Sequence, residues 1–213
     1  MKFIKCFFVL AVCFISCNNS QNKTEIPVTV ETKTGELIQI NPKEIPSNPI
    51  KLIGEEWMLI TAGNAESYNT MTASWGAIGE LWSRPVTTCY IRPERHTYGF
   101  MENSQYYTFC FFEEEYRQAL NYCGTHSGRD HQDRNKAEVA GLTPAYTENG
   151  SVYFREAYLV VECKKLYADQ FSAEHFTAEV TMGSDAEGPS LYNQTPDMHK
   201  FYIGEIVNCW MKK

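Results

Sequence analysis

Two short polar stretches hold the residue types that suit anion binding. Arg92, Pro93, Glu94, Arg95, His96 and Thr97 put two guanidiniums, an imidazole and a hydroxyl at the end of an apolar run, just before a short helical stretch expected over 98–102. With Thr97 as N-cap, free helix-start amides and the guanidiniums would face a phosphate, joining dipole, hydrogen bonds and charge in one place. The same residues also read as a solvated loop in which Arg92 and Arg95 pair with Glu94 and Glu102. Ser127, Gly128, Arg129 and Asp130 supply a hydroxyl, a permissive backbone and a guanidinium in a second turn. There the alternative is a helix-end turn in which Arg129 and Asp130 pair with each other.

A third stretch, residues 69–82 (NTMTASWGAIGELW), combines hydroxyls, small residues and two tryptophans with almost no charge. A core strand would spend those positions on Val, Ile and Leu, so the stretch reads as a binding loop. Thr70, Thr72, Ala73, Ser74, Gly76 and Gly79 let backbone amides approach a flat ligand, and Trp75 and Trp82 could wall an aromatic ring. Other chemistries find little support. His96, His126 and His131 lack HExxH spacing and an obvious completing carboxylate, so no metal is expected. Neither GxGxxG nor GxxxxGK[ST] occurs, which argues against a Rossmann fold and a P-loop, and there is no CxxC pair. Glu113, Glu114 and Glu115 read as dipole complements at a helix start.

The elements that must position these stretches are mostly strands. Runs rich in β-branched and aromatic residues predict strands over 56–61, 85–91, 106–112, 152–154, 158–167 and 201–210. Helical spacing of Tyr116, Ala119, Leu120 and Cys123 predicts a helix over 114–123 stopped by Gly124, with shorter ones over 133–140 and 173–178. Residues 182–198, with Gly183, Gly188, Pro189 and Pro196, read as a long loop near an entrance or a dimer contact. This pattern predicts a mainly β chain, a small antiparallel barrel with a few capping helices.

A length of 213 residues with 43% hydrophobic and 14% aromatic content supports one sizeable core, and a net charge of −7 argues against a nucleic-acid binder. The first residues read as a targeting segment: Lys2 and Lys5, an apolar run over 6–15, and Ser16 before Cys17. Phe14, Ile15, Ser16 and Cys17 resemble the lipobox of bacterial lipoproteins, although Phe14 departs from the usual Leu. The other reading is an ordinary signal peptide cut elsewhere. The expected division is a signal over 1–16, a lipid on Cys17, a polar tether over 17–45 and a domain over 46–213. Loss of 1–16 removes two lysines and no acid, leaving the mature chain more acidic still. Of eight cysteines, Cys6 and Cys13 leave with the signal, and Cys89, Cys110, Cys163 and Cys209 lie in apolar runs as buried thiols.

Six strings occur in order: WMLITAG (57–63), NTMTASWG (69–76), PVTTCYIRPERHTY (85–98), FFEEEYRQALNYCGTHSGRD (111–130), LTPAYTENGSVYFREAYLVVECKKLYAD (142–169) and FYIGEI (201–206). Together they resemble the flavin reductase-like proteins, FMN-binding split barrels that include flavoredoxin and NAD(P)H:flavin oxidoreductases. The resemblance implies a Greek-key split β-barrel that binds FMN. It implies that Asn69, Thr70, Met71, Thr72, Ala73, Ser74 and Trp75 contact the flavin, and that Arg92, Arg95 and Thr97 hold its phosphate. Ser127, Gly128 and Arg129 would border the ring, with Arg134 standing where a Lys often follows. It further implies a homodimer and electron transfer between a small-molecule or protein donor and acceptor, with no catalytic side chain required. The alternative within the family is a non-enzymatic carrier of the flavoredoxin kind. A pyridoxamine phosphate oxidase-like barrel fits NTMTASWG and SGRD less well. With the lipobox, the expected location is the bacterial cell envelope, held to the membrane only through the N-terminal lipid.

Overall fold

The computed structural model describes residues 35–131, 133–185, 188–191 and 198–213, so the expected signal segment and Cys17 lie outside the described residues. The chain opens with β1 (Leu37–Gln39) and α1 (Pro49–Lys51), which runs on as one π-helical turn over Leu52–Glu56. Next come β2 (Met58–Gly63), β3 (Tyr68–Ala73), β4 (Gly76–Leu81), β5 (Arg84–Ile91), α2 (His96–Asn103) and β6 (Tyr106–Phe111). They are followed by α3 (Arg117–Thr125), α4 (Lys136–Val139), β7 (Pro144–Tyr146), β8 (Val152–Phe154) and β9 (Leu159–Gln170). β10 (Thr181–Asp185), β11 (Gly188–Leu191) and β12 (Lys200–Lys212) complete the described part.

One eight-stranded antiparallel sheet runs β3-β2-β6-β9-β12-β5-β4, with β1 added alongside β12; β7-β8 and β10-β11 form separate hairpins. The hydrogen-bonded path is open, and its two ends are β3 and β4. Only Ser74 and Trp75 separate them in the chain. Three Cα–Cα steps reach at most about 11 Å, so the two ends of the sheet must curl toward each other. β3 and β4 are in effect one extended run, the first half laddered to β2 and the second half to β5. This is the mainly β, antiparallel arrangement with few helices that the strand pattern predicted, its sheet left open as a split barrel of the kind the family resemblance implies.

Two-residue alternation divides the apolar side chains between two cores. Met58, Ile60 and Ala62 of β2, Tyr107, Phe109 and Phe111 of β6, and Leu159, Val161 and Cys163 of β9 share the larger one. The intervening Leu59, Cys110 and Val160 face the other way, against Ala119, Leu120 and Cys123 of α3 and Ala137 of α4. The five cysteines from Cys89 onward are all free and buried.

Several boundaries differ from expectation. β2 starts at Met58 rather than 56, because the π-helical turn ends at Glu56 and Trp57 has a φ of 68°. Residues 69–82 form strands with a bend rather than a loop, because their polar side chains find partners inside: Thr61 Oγ1 donates to Thr70 Oγ1 at 2.9 Å, and Thr70 Oγ1 donates to the Ile60 carbonyl at 3.2 Å. Helix α3 continues past Gly124 to Thr125, and α4 begins only at Lys136, where the Asn135 side chain caps it. The stretch 173–178 reduces to one turn over Ala173–His175, and the expected loop 182–198 contains the β10-β11 hairpin, while 186–187 and 192–197 lie outside the described residues. β1 lies within the segment expected to be tether, and its ladder to β12 brings the chain into the sheet by Leu37.

The β9-β12 ladder shifts register at Ile203/Gly204, and there the buried Tyr107 hydroxyl occupies the space a side chain at Gly204 would need. That hydroxyl also sits 3.0 Å from Thr87 Oγ1. Gly204→Ala should therefore destabilise the domain by about 1 to 3 kcal/mol through overpacking. In urea melts the combination with Tyr107→Phe should cost less than the sum of the single changes, because the phenylalanine removes the hydroxyl, the atom in closest conflict.

Candidate functional site

Of the predicted residues, Met71 to Trp75, Arg92 and Arg95 line a cavity where the sheet bends between β3 and β4, while Asn69, Thr97, Ser127, Gly128 and Arg129 lie beside it. Asn69, 2% exposed, donates from Nδ2 to Thr97 Oγ1 at 2.7 Å and to the Thr70 carbonyl at 3.2 Å. That bond ties β3 to the first turn of α2. Thr97 lies inside the helix and is buried; Arg95 occupies the N-cap position and makes no side-chain cap. The expectation of a Thr97 cap is thus corrected, because its hydroxyl is taken by Asn69 instead. Gly128 packs so closely on Asn69 Oδ1 that no Cβ fits there, and His96 Cδ2 would stand only 2.8 Å away.

Two guanidiniums tie the first polar turn to its surroundings, one to α3 and one from the second turn. Arg95 Nη2 donates to the Gly124 carbonyl at 2.9 Å, and Arg129 Nη1 donates to the Glu94 carbonyl at 2.9 Å. Ser127 Oγ accepts the Arg129 amide at 3.2 Å and starts the turn over Gly128–Asp130. A buried lysine absent from the sequence expectations anchors the second turn: Lys136 Nζ donates to the Cys123 carbonyl at 2.6 Å and the His126 carbonyl at 2.7 Å. These bonds satisfy carbonyls at the end of α3, which otherwise lack helical partners. Arg134 is not brought to this group. It is exposed and reaches Glu138 at 3.8 Å, one turn along the chain.

Met71, Thr72, Ala73, Ser74 and Trp75 line an open cavity of about 240 Å³ together with Tyr90, Arg92, Glu94, Arg95 and His199. Thr70 is not among them, since its side chain points into the sheet interior and is fully buried. Thr72 donates its hydroxyl to the Leu120 carbonyl, fastening the cavity wall to α3. Trp75 is half-exposed and meets the His199 ring edge-on at 5.3 Å. His199 and Tyr90 were not foreseen. The available signal was position: both lie on the paired strands β12 and β5 or immediately before them, at the level of Arg92.

The cavity is electropositive although the chain is acidic. Arg92 meets Glu94 at 3.7 Å, which realises part of the ion pairing expected of a solvated loop. Glu102 pairs instead with Lys200 at 2.8 Å and accepts from Tyr202. Three neighbouring bases register the positive field. Burial pushes Lys136 down to about 8; Cys123 opposes this and Arg95 adds to it. Burial, then Arg129 and Lys136, lower His96. Burial, then Arg92 and Arg95, push His199 down to about 4, so it is neutral at pH 7. Cations gathered around backbone amides form a site for an anion. Among the described residues no group of three or more His, Cys, Asp or Glu is placed to hold a metal ion.

A family described as flavin reductase like domain matches residues 51–213. The chain belongs to that family. The flavin reductase-like domain also shares its fold with solved structures. The FMN-binding domain of a flavin reductases-like enzyme from Shewanella baltica is 15% identical with a TM-score of 0.58, over 84% of this chain and 78% of that one. A flavoredoxin from Methanosarcina acetivorans is 17% identical with a TM-score of 0.54, over 84% and 76%. An NADH:FAD oxidoreductase from Streptomyces globisporus is 14% identical with a TM-score of 0.51, over 72% and 73%. No curated protein matches the chain.

The neutral His199 makes the stability of this flavin reductase-like domain depend on acid. The unfolded chain takes up a proton on this imidazole at its ordinary value of 6.5, whereas the folded domain refuses it until about 4. The stabilisation is therefore complete above pH 6.5 and is lost as pH falls toward 4. Urea midpoints measured over that window should decline, and His199→Asn should flatten the decline.

Proposed function

We propose that the domain binds FMN at the bend between β3 and β4 and passes electrons through it. The observation that carries this reading is the coincidence of an electropositive cluster with a cavity walled by the Thr72–Trp75 backbone, in a family whose solved relatives include FMN-binding proteins. The donor set suits the cofactor. Arg92 and Arg95 line the cavity and would hold the phosphate, with Arg129 and Lys136 adding charge behind them. Thr97 and Asn69 would position that turn from beneath. Trp75, Tyr90 and the neutral His199 would flank the ring, and the backbone of 71–75 would approach its edge. Bound FMN supplies one- and two-electron redox chemistry at its isoalloxazine ring. The side chains orient the cofactor and exclude water from one side of it.

A volume of about 240 Å³ is below the roughly 300 to 1,000 Å³ usual for a small-molecule site, so one chain would leave much of FMN uncovered. A second copy closing over the half-exposed Trp75 would complete the enclosure, which supports a homodimer. Two kinds of activity fit the same site: an oxidoreductase drawing on a nicotinamide donor, and an electron carrier between partners. A lipid on Cys17 and a place in the bacterial cell envelope belong to the same reading. Nicotinamide donors are scarce outside the cytoplasm, and an acidic domain would meet a basic protein donor readily.

Arg92→Gln and Arg95→Gln should each weaken FMN binding about tenfold or more, since a charge-assisted hydrogen bond is worth about 1.5 to 3 kcal/mol. Flavin fluorescence titrations should show riboflavin, which lacks the phosphate, binding wild type and variants alike. Equal losses for both ligands would contradict the phosphate assignment. In stopped-flow experiments NADPH should bleach the bound flavin slowly; rapid bleaching without a partner would instead establish the nicotinamide-dependent oxidoreductase.

A further inference from the structure

A second cavity lies away from the flavin site and has a different character. It encloses about 560 Å³ between the segment before α1, the π-helical turn, the start of α3 and the start of β9. Its floor is apolar: Phe112, Leu120 and Leu159 are 4%, 1% and 1% exposed. Its walls carry Glu55, Glu56, Glu113 and Glu114, faced by only two cations, Lys51 and Arg117.

Arg117 is committed elsewhere. Its Nη2 reaches Glu114 Oε2 and the Glu55 carbonyl, each at 2.9 Å, and its Nη1 reaches the Glu56 carbonyl at 3.1 Å. Its guanidinium also lies 4.4 Å from the centre of the Trp57 ring. It thereby closes the end of the π-helical turn and the left-handed residue that follows, and neutralises Glu114 alone. Glu56 accepts the Tyr158 hydroxyl at 2.8 Å. No ion pair reaches Glu55, Glu56 or Glu113 among the described residues. The surplus negative field is felt at Tyr158, whose phenol is pushed up first by burial, then by Glu56 and Glu113.

These features select a class of ligand. A compact metal ion needs three or more donors converging on one point, and no such group exists among the described residues. The carboxylates are instead spread around an apolar floor, in a volume typical of small-molecule sites. We propose that this cavity binds an organic cation, an ammonium group carried on an apolar body, with the body on Phe112, Leu120 and Leu159 and the charge among Glu55, Glu56 and Glu113. The site is separate from the flavin cavity and backs onto it through α3. Leu120 lines this cavity, and its carbonyl takes the hydroxyl of Thr72 from the wall of the other. The inference does not depend on flavin binding.

Isothermal titration of the full chain with 4-phenylbutylamine, 4-phenylbutanol and 4-phenylbutyrate separates charge from apolar contact, because the three share one body. The amine should bind saturably at one site, at least tenfold more tightly than the carboxylate, with the alcohol between them. The affinity of the amine should fall as salt rises. Glu55→Gln combined with Glu113→Gln should weaken the amine about tenfold; both residues are exposed, so thermal melts should stay near wild type. Absence of saturation at millimolar amine, equal binding of amine and carboxylate, or an unchanged affinity in the double variant would each overturn the proposal. Flavin titrations on the same variant should match wild type.

Discussion

The architecture depends on one covalent constraint. A sheet whose hydrogen-bonded path is open would normally expose two edges, and exposed edges invite pairing with other chains. Here the two end strands are consecutive in sequence, so the link at Ser74 and Trp75 draws them together without a ladder between them. A split in the wall of the barrel is the result. Backbone at such a split has groups not consumed by strand pairing, in a position fixed by rigid strands on either side. A cofactor placed there would use polar backbone that a closed barrel would have spent on itself.

Holding the split open to a ligand requires the surrounding polar groups to be satisfied from within. Asn69 bonds Thr97, Thr72 bonds Leu120, Arg95 bonds the Gly124 carbonyl of α3, Arg129 bonds the Glu94 carbonyl of the first turn, and Lys136 takes two carbonyls at the end of α3. Buried polar groups without partners would cost about 1 to 3 kcal/mol each, so this network is needed before any ligand arrives. It also fixes the site geometrically. A ligand phosphate would meet guanidiniums already braced against backbone, and little side-chain entropy would remain to be lost.

What the sequence revealed follows from which interactions are local. Strands β5, β6, β8, β9 and β12 were legible because alternation and β-branched content are properties of a few consecutive residues. The β3-β4 run was not, because Thr70 and Asn69 of β3 look polar until their partners, Thr61 across the sheet and Thr97 in α2, are seen. The family motifs singled out the two polar turns but said nothing of the Arg129 to Glu94 bond that joins them. Arg134 looked like the basic residue of the site because it follows the SGRD turn. Lys136, two residues on, is the buried cation instead, bonded to carbonyls at the end of α3, since Asn135 caps α4 just before it. His199 was invisible for a similar reason: its environment is made by Trp75, Arg92 and Arg95, more than a hundred residues earlier.

The distribution of charge links the two cavities. The chain carries seven more negative than positive charges, yet its cations gather around the β3-β4 bend, while carboxylates gather behind α3. Burial first, and then the like charges nearby, lower the proton affinity of His96, His199 and Lys136 on one side and raise Tyr158 on the other. An anion in the first cavity and a cation in the second would each relieve the repulsion between those like charges locally. Both ligands would therefore stabilise the folded domain, in proportion to how far their concentrations exceed their dissociation constants. Leu120 of α3 lines the second cavity and its carbonyl takes the hydroxyl of Thr72 from the wall of the first, so ordering α3 from one side reduces what must still be ordered from the other. The physical expectation is weak positive coupling carried by the Thr72 to Leu120 bond, without any large movement of the sheet.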